Sequence, residues 1–255
     1  MSTAGSPASP DESTTSRADV LLVERKLFDS RTSAKAAIEA GKVKANGIIV
    51  SKASMMIPRD AALETAPAHP YVSRGGVKLA HALAQSRLSP HDRVCLDVGA
   101  STGGFTQVLI ENGARQVYAI DVGTAQLHAS LRDNEKIVSM ENTDIRTLGV
   151  DDLPVEPDFA VIDVSFISLK HVLPTALSLL SRPAEVVALI KPQFEVTRST
   201  LKKGIVRDET IHATVCADIA AFLAASGCDI VAQFPSPVEG GDGNREFFVV
   251  ARYPA

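Results

Sequence analysis

From residue 93 onward, short apolar runs alternate with helix-like stretches, and that alternation leaves this chain few folds to choose from. RVCLDVG (93–99) reads as a buried strand ending in a glycine turn, and FTQVLIENG (105–113) as a helix closed by Gly113. QVYAIDV (116–122) and the shorter KIVSM (136–140) supply two further strands. DFAVIDVSF, EVVALIK and CDIVAQF follow, with helical stretches between most of them. Such βαβ alternation predicts a parallel sheet with helices on both faces. The last pair breaks the rhythm. CDIVAQF and REFFVVARY are joined by PSPVEGGDGN, a Pro/Gly-rich loop without a helix, so they should pair antiparallel.

The first quarter of the chain has a different character. Residues 17–78 hold 11 Lys/Arg against 6 Asp/Glu, whereas residues 79–255 hold 15 against 22, so the formal net charge of −4 hides a basic N-terminal segment. A localised positive surface is the electrostatic footprint of a nucleic-acid binder. Within it, SRTSAKAAIEAG predicts a short helix with Ser30 or Thr32 as cap and Gly41 past its end. KVKANGIIV then reads as strand, Asn-Gly turn, strand. Arg31, Lys35, Lys42 and Lys44 would line one surface suited to phosphates. Charge alone equally allows a merely solvated face.

Other classes fall away. The opening MSTAGSPASPDESTTS is polar and lacks the apolar centre of a signal peptide, so residues 1–16 are expected to be a disordered tail. No apolar run reaches the roughly 20 residues of a membrane span. Three cysteines without a CxxC pair suggest reduced side chains in a cytoplasmic protein, and no metal site is expected. Nothing in the pattern points to an obligate dimer, and a monomer is expected.

The order SR, helix, G-x-V-x-x-NG, V-x-K closely resembles the small RNA-binding module of ribosomal protein S4. This likeness places such a module at residues 17–64, a linker at 65–77 and the large domain at 78–255. RNA binding is what the resemblance implies; the module occurs on many RNA enzymes and does not name the reaction. Pseudouridine synthases carry it too, but the R-L-D motif around their catalytic aspartate is absent here.

In the large domain, LDVGASTGGFT places Asp97 at the end of the first strand and Gly99, Gly103 and Gly104 in the turn that follows. Glycines there let a ligand approach the backbone at the carboxyl ends of the strands. The G-x-G-x-x-G spacing of a dinucleotide site is missing. Asp121 could accept ribose hydroxyls, and Asp144, in ENTDIR, could reach an adenine amino group. Three carboxylates at successive strand ends favour a nucleoside site, with S-adenosylmethionine a better fit than NAD. A doubly wound, Rossmann-like seven-stranded sheet with a reversed last strand resembles the S-adenosylmethionine-dependent methyltransferases.

Four ionisable residues flank buried runs: Lys78 in SRGGVKL, Asp163 in VIDVS, Lys191 in ALIKPQ and Glu246 in NREFFVV. Charge in such places is costly unless paired or used. The set resembles the Lys-Asp-Lys-Glu tetrad of FtsJ-type ribose 2′-O-methyltransferases. Their turn usually ends Pro-Gly-Gly-aromatic; here STGGF puts Thr102 in place of Pro and Phe105 as the ring, which leaves side-chain contacts in the turn open. An S4-like module fused to this domain resembles the TlyA family, whose members are also called haemolysins. The resemblance implies ribosomal RNA, or a ribosomal subunit, as partner and a cytidine ribose as target. It assigns catalysis to the tetrad, with Lys191 as proton acceptor and the two acids orienting it. Arg74, with Arg198, Lys202, Lys203 and Arg207 in the basic loop TRSTLKKGIVR, is expected on RNA, and the Gly75-Gly76 pair is expected to serve as a hinge or turn. The competing readings are a non-catalytic ribosome-assembly factor and a cytolysin; the latter has no spanning run or long amphipathic helix to support it.

Overall fold

The protein is described from a computed structural model covering residues 14–28, 30–240 and 243–255. Most of the expected tail, residues 1–13, lies outside the described residues, as does the side chain of Arg198. The chain forms two compact units, Met1–Pro70 and Tyr71–Ala255.

The first unit contains β1 (Thr15–Arg17), α1 (Ala18–Glu24), α2 (Arg31–Glu39), β2 (Val43–Ala45), β3 (Ile48–Ile49), β4 (Met56–Pro58) and β5 (Leu63–Thr65). Thr15 and Ser16, assigned to the tail from sequence, form a strand antiparallel to β4, and Thr65, assigned to the linker, pairs with Val43. Ser30 caps α2 reciprocally: its Oγ accepts the Ser33 N–H at 3.2 Å, and Ser33 Oγ accepts the Ser30 N–H at 3.3 Å. The β2–β3 hairpin turns through Asn46 (φ 50°) and Gly47 (φ 78°), the doubly left-handed geometry for which Asn-Gly is suited. Leu21, Leu22, Ala34, Ile38, Val43 and Ile57 close a small core of their own.

The second unit contains α3 (Arg74–Ser86), β6 (Val94–Val98), α4 (Gly104–Glu111), β7 (Gln116–Ile120), α5 (Ala129–Arg132), β8 (Ile137–Met140), β9 (Phe159–Ile162), α6 (Leu169–Ser178), β10 (Ala184–Ile190), α7 (Pro192–Glu195), α8 (Glu209–Ala225), β11 (Asp229–Pro235) and β12 (Phe247–Tyr253). Seven strands form one sheet in the order β11-β12-β10-β9-β6-β7-β8, with β12 antiparallel to both its neighbours. Because strand side chains alternate between faces, the sheet buries two layers. Cys95, Val161, Leu189 and Phe248 pack against α3 and α4; Leu96, Ile162, Ala188 and Val249 pack against α6 and α8. The chain runs outward from β6 to β8 and returns to β9 on the other flank of β6. That reversal opens a crevice at the carboxyl ends of β6 and β9, where open α/β sheets bind ligands. Among the described residues, no helix is long and apolar enough to cross a membrane.

Candidate active site

The crevice starts at Gly99. Its φ is +85°, and a Cβ there would stand 2.4 Å from the backbone oxygen of Asp163, so the residue after β6 has to be glycine for the β6 and β9 ends to approach. Gly104 opens α4 under similar crowding, with a Cβ position 2.2 Å from Ser73 Oγ and 2.9 Å from the Gly76 nitrogen. Asp97 does not face the crevice. It is wholly buried beneath the turn, where one oxygen accepts the Thr106 hydroxyl at 2.5 Å and Oδ1 accepts no hydrogen bond. Burial, reinforced by Asp163 and Asp121, pushes its carboxyl up to about 7, against the Thr106 bonds that pull it down.

Two cavities open from the turn. The larger, about 700 Å³, is lined by Gly99, Ser101, Asp121, Val122, Asp144, Arg146, Asp163 and Phe166 among others. The smaller, about 210 Å³, is lined by Ser73, Arg74, Gly75, Lys78, Phe105 and the turn. Gly99, Ser101 and Asp163 border both. Asp121 already accepts two backbone N–H groups, from Ser101 at 2.8 Å and Gly123 at 2.7 Å, which orient the carboxylate and leave it further lone pairs. Asp144 is held by its neighbour: Arg146 Nη2 donates to it at 2.6 Å, and that guanidinium keeps its carboxyl below the ordinary range.

The four flanking ionisable residues converge on the same edge for a topological reason. Asp163 follows β9 and Lys191 follows β10, both at carboxyl ends. Glu246 precedes β12, and because β12 runs antiparallel, with Phe247 opposite Ile190, its beginning lies at that edge too. Lys78 enters from the first turns of α3. They form two ion pairs: Lys78 Nζ to Glu246 Oε2 at 2.5 Å and Lys191 Nζ to Asp163 Oδ1 at 2.5 Å. Lys78, Lys191 and Glu246 are buried. Lys191 also donates to Ser165 Oγ at 2.8 Å. Of the four, Lys78 lines the smaller cavity and Asp163 borders both, and Glu246 and Lys191 are their buried partners.

Residues 71–253 match the model of the FtsJ-like methyltransferases, nearly the whole second unit. The chain belongs to that family. Residues 16–62 match the S4 domain. A Bacillus subtilis protein provisionally named an rRNA methyltransferase, YqxC, is 46% identical over 93% of this chain and 86% of its own length. The 16S/23S rRNA (cytidine-2'-O)-methyltransferase TlyA of Mycobacterium tuberculosis is 40% identical over 92% of this chain and 89% of its own. A solved structure from Streptococcus thermophilus, provisionally named a hemolysin, superposes with a TM-score of 0.76 at 42% identity, covering 94% of this chain and 89% of that one.

On this FtsJ-like unit several residues stand differently from their sequence reading, and others emerge that the reading missed. Gly75 and Gly76, expected as a hinge or turn, both lie in the first turn of α3, where a Cβ on Gly76 would meet the Tyr71 ring at 2.3 Å. Arg74, expected on RNA, lines the smaller cavity. Lys202, Lys203 and Arg207 are exposed. Their loop is fastened by buried Asn244, which accepts the Val206 N–H and donates to the Gly204 carbonyl, both at 3.0 Å. In the first unit, Lys35 and Lys44 lie 3.6 Å from Glu39 and Glu64, and Lys42 is exposed. Arg31 is tied with Arg17 to Asp19, which these guanidiniums, Arg17 foremost, hold down at about 2. Arg17 was missed because nothing in its neighbouring residues sets it apart before the pairing with Asp19 is seen. Val122 and Phe166 were missed as well. They are 70% and 91% exposed on the wall of the larger cavity, and Phe166 (φ 66°) stands 5.1 Å from the Phe194 ring. Large apolar side chains in the open are a signal only once exposure is known.

Proposed function

We propose that this protein transfers a methyl group from S-adenosylmethionine to a ribose 2′-hydroxyl of ribosomal RNA, with a cytidine as target. The observation that carries the proposal is the double ion pair, Lys78–Glu246 and Lys191–Asp163, of which Lys78 lines the smaller cavity and Asp163 borders both. The cytidine and the ribosomal substrate rest on the relative named a 16S/23S rRNA (cytidine-2'-O)-methyltransferase.

The residues fit the methyl donor. Asp121 and Val122 would hold its ribose and cover its adenine, and Asp144 would lie beside the adenine edge. The N-terminus of α3 receives no side-chain cap from Ser73, and with Arg74 on the cavity wall it suits a carboxylate. When bound, the sulfonium supplies an electrophilic methyl group.

A ribose hydroxyl is a weak nucleophile that loses its proton as its oxygen is alkylated. In this reading Lys191 would hold that oxygen and take the proton late in the transfer. Asp163 and Ser165 hold its Nζ, at 2.5 and 2.8 Å. To take that proton Lys191 has to present an unprotonated amine when the hydroxyl oxygen attacks. Lys78 and Glu246 neutralise one another and present a fixed dipole to the same point. Much of the rate would come from holding oxygen, methyl and sulfur in line at ~3 Å. Phe166 offers a face on which an exposed base can stack.

The test is transfer of labelled methyl from S-adenosylmethionine to separated ribosomal subunits that lack the modification. Label should appear as 2′-O-methyl ribose and fall by about 10²-fold or more in Lys191→Ala. Turnover near wild type in that variant would remove Lys191 from the chemistry. No label on either subunit would leave an RNA-binding assembly factor as the better reading.

A further inference from the structure

The loop between β7 and α5, residues 122–128, has no regular secondary structure, yet it is among the most fastened parts of the site. Its anchor is Glu141, the residue after β8. One carboxylate gathers three successive backbone N–H groups, from Ala125 at 2.6 Å, Gln126 at 2.8 Å and Leu127 at 2.8 Å. Consecutive N–H groups that converge in this way form an anion-binding concavity. Ala125 adopts φ 53° to make it, a left-handed conformation that a non-glycine residue rarely takes without compensation. In many proteins such a nest holds a ligand's phosphate; here the chain fills it with its own side chain.

The nest joins the loops at three strand ends. On the β8 side, Glu141 is continuous with Asn142, Thr143 and Asp144. Asn142 N–H donates to the Gly123 carbonyl at 2.8 Å, and Thr143 N–H donates to the Asp121 carbonyl at 2.9 Å. On the β6 side, the loop bears on the glycine turn. His128 N–H donates to the Thr102 carbonyl at 3.2 Å, and buried Leu127 sits so close that a Cβ on Gly103 would fall 2.7 Å from its Cδ1. Val122 and Asp121, on the cavity wall, lie at the head of the loop so fixed.

We propose that Glu141 is a positioning residue for the methyl donor: by filling the nest of residues 125–127 it holds the β6, β7 and β8 loops in the spacing that the donor's nucleoside requires. The proposal rests on the reading of the larger cavity as that nucleoside site. Glu141 does not line the cavity, so its effect reaches the donor through Val122, Asp121 and the turn. The nest also makes the carboxylate the strongly favoured form: the Leu127 N–H, then those of Ala125 and Gln126, hold its pKa below the ordinary range. A neutral amide in its place would turn an N–H toward other N–H groups and lose the charge-assisted bonds.

Binding of S-adenosylmethionine to the full chain by calorimetry, with hydrogen exchange at residues 122–128, tests this in Glu141→Ala, Glu141→Gln and wild type. Glu141→Ala should weaken donor affinity about tenfold or more, with faster exchange in the loop, and Glu141→Gln should fall between. The KM for the donor should rise while kcat at saturating donor and affinity for RNA stay within about twofold of wild type. Wild-type donor affinity in a folded Glu141→Ala overturns the proposal, as does a loss confined to kcat. If Glu141→Ala fails to fold, wild-type affinity in Glu141→Gln overturns it. Wild-type protein that binds no S-adenosylmethionine would instead overturn the proposed function, and this inference with it.

Discussion

Asp97 carries its carboxyl at the end of β6 without solvent exposure, and its raised pKa of about 7 has a consequence for stability. The folded state keeps the proton that the unfolded chain releases near the ordinary aspartate value of about 4. The stabilisation from this group is therefore full below about pH 4 and is lost as pH rises through about 7. Asp97→Asn should flatten the fall in Tm between these pH values and raise Tm at pH 8. In a chain of this size about 1 kcal/mol of relief appears as about 2–4 °C, readable by calorimetry across pH. An unchanged pH profile would mean that Asp97 is ionised in the fold. Ser165 makes a narrower prediction. Its hydroxyl is one of the two groups that hold Lys191, so Ser165→Ala should lower kcat about tenfold and leave donor affinity alone. Equal loss in donor affinity would place Ser165 in binding instead.

Among the elements, the contact of α3 with α4 matters most to the site, since α3 carries Lys78 and α4 begins at the glycine turn. Gly104 is the point of closest approach. A methyl group there could displace the Ser73 hydroxyl by rotation, but not the Gly76 backbone nitrogen 2.9 Å away. Gly104→Ala should push the first turn of α3 outward and draw Lys78 away from Glu246. Methyl transfer should then fall about 10²-fold, the scale of a 1 Å misplacement, with only a few degrees lost in Tm. A kinetic assay beside a thermal melt separates this from simple unfolding; loss of both in proportion would reduce the glycine to a packing role. The element also shows where reading glycines fails. A Gly-Gly pair in sequence suggests a hinge, whereas Gly76 is required because the Tyr71 ring packs against it, five residues away and visible only in the fold. The Asn-Gly turn of the β2–β3 hairpin was legible because its constraint is local: two left-handed residues in succession, whatever lies around them.

At the scale of the molecule, each unit closes a core of its own, and the first holds 9 Lys/Arg against 8 Asp/Glu whereas the second holds 17 against 22. The fragment 71–255 should therefore fold and bind S-adenosylmethionine, while its affinity for ribosomal RNA and the steepness of its salt dependence both drop. Filter binding across salt concentrations measures this, and RNA affinity equal to that of the full chain would remove the first unit from substrate capture. The strands of the second unit, their alternation with helices and the final hairpin were set by the sequence alone, because backbone periodicity and turn chemistry act over a few neighbouring residues; the four ionisable residues were marked by their places beside buried runs and by resemblance. Which partners those residues take was not. Lys78 meets Glu246 across 168 residues only because an antiparallel β12 brings its start to the carboxyl edge of a sheet whose strand order no local pattern encodes. For the same reason tertiary structure alone decided that Asp97 lies buried rather than in the cavity, and that Val122 and Phe166 stay in the open. Burial and pairing depend on what the rest of the chain places nearby.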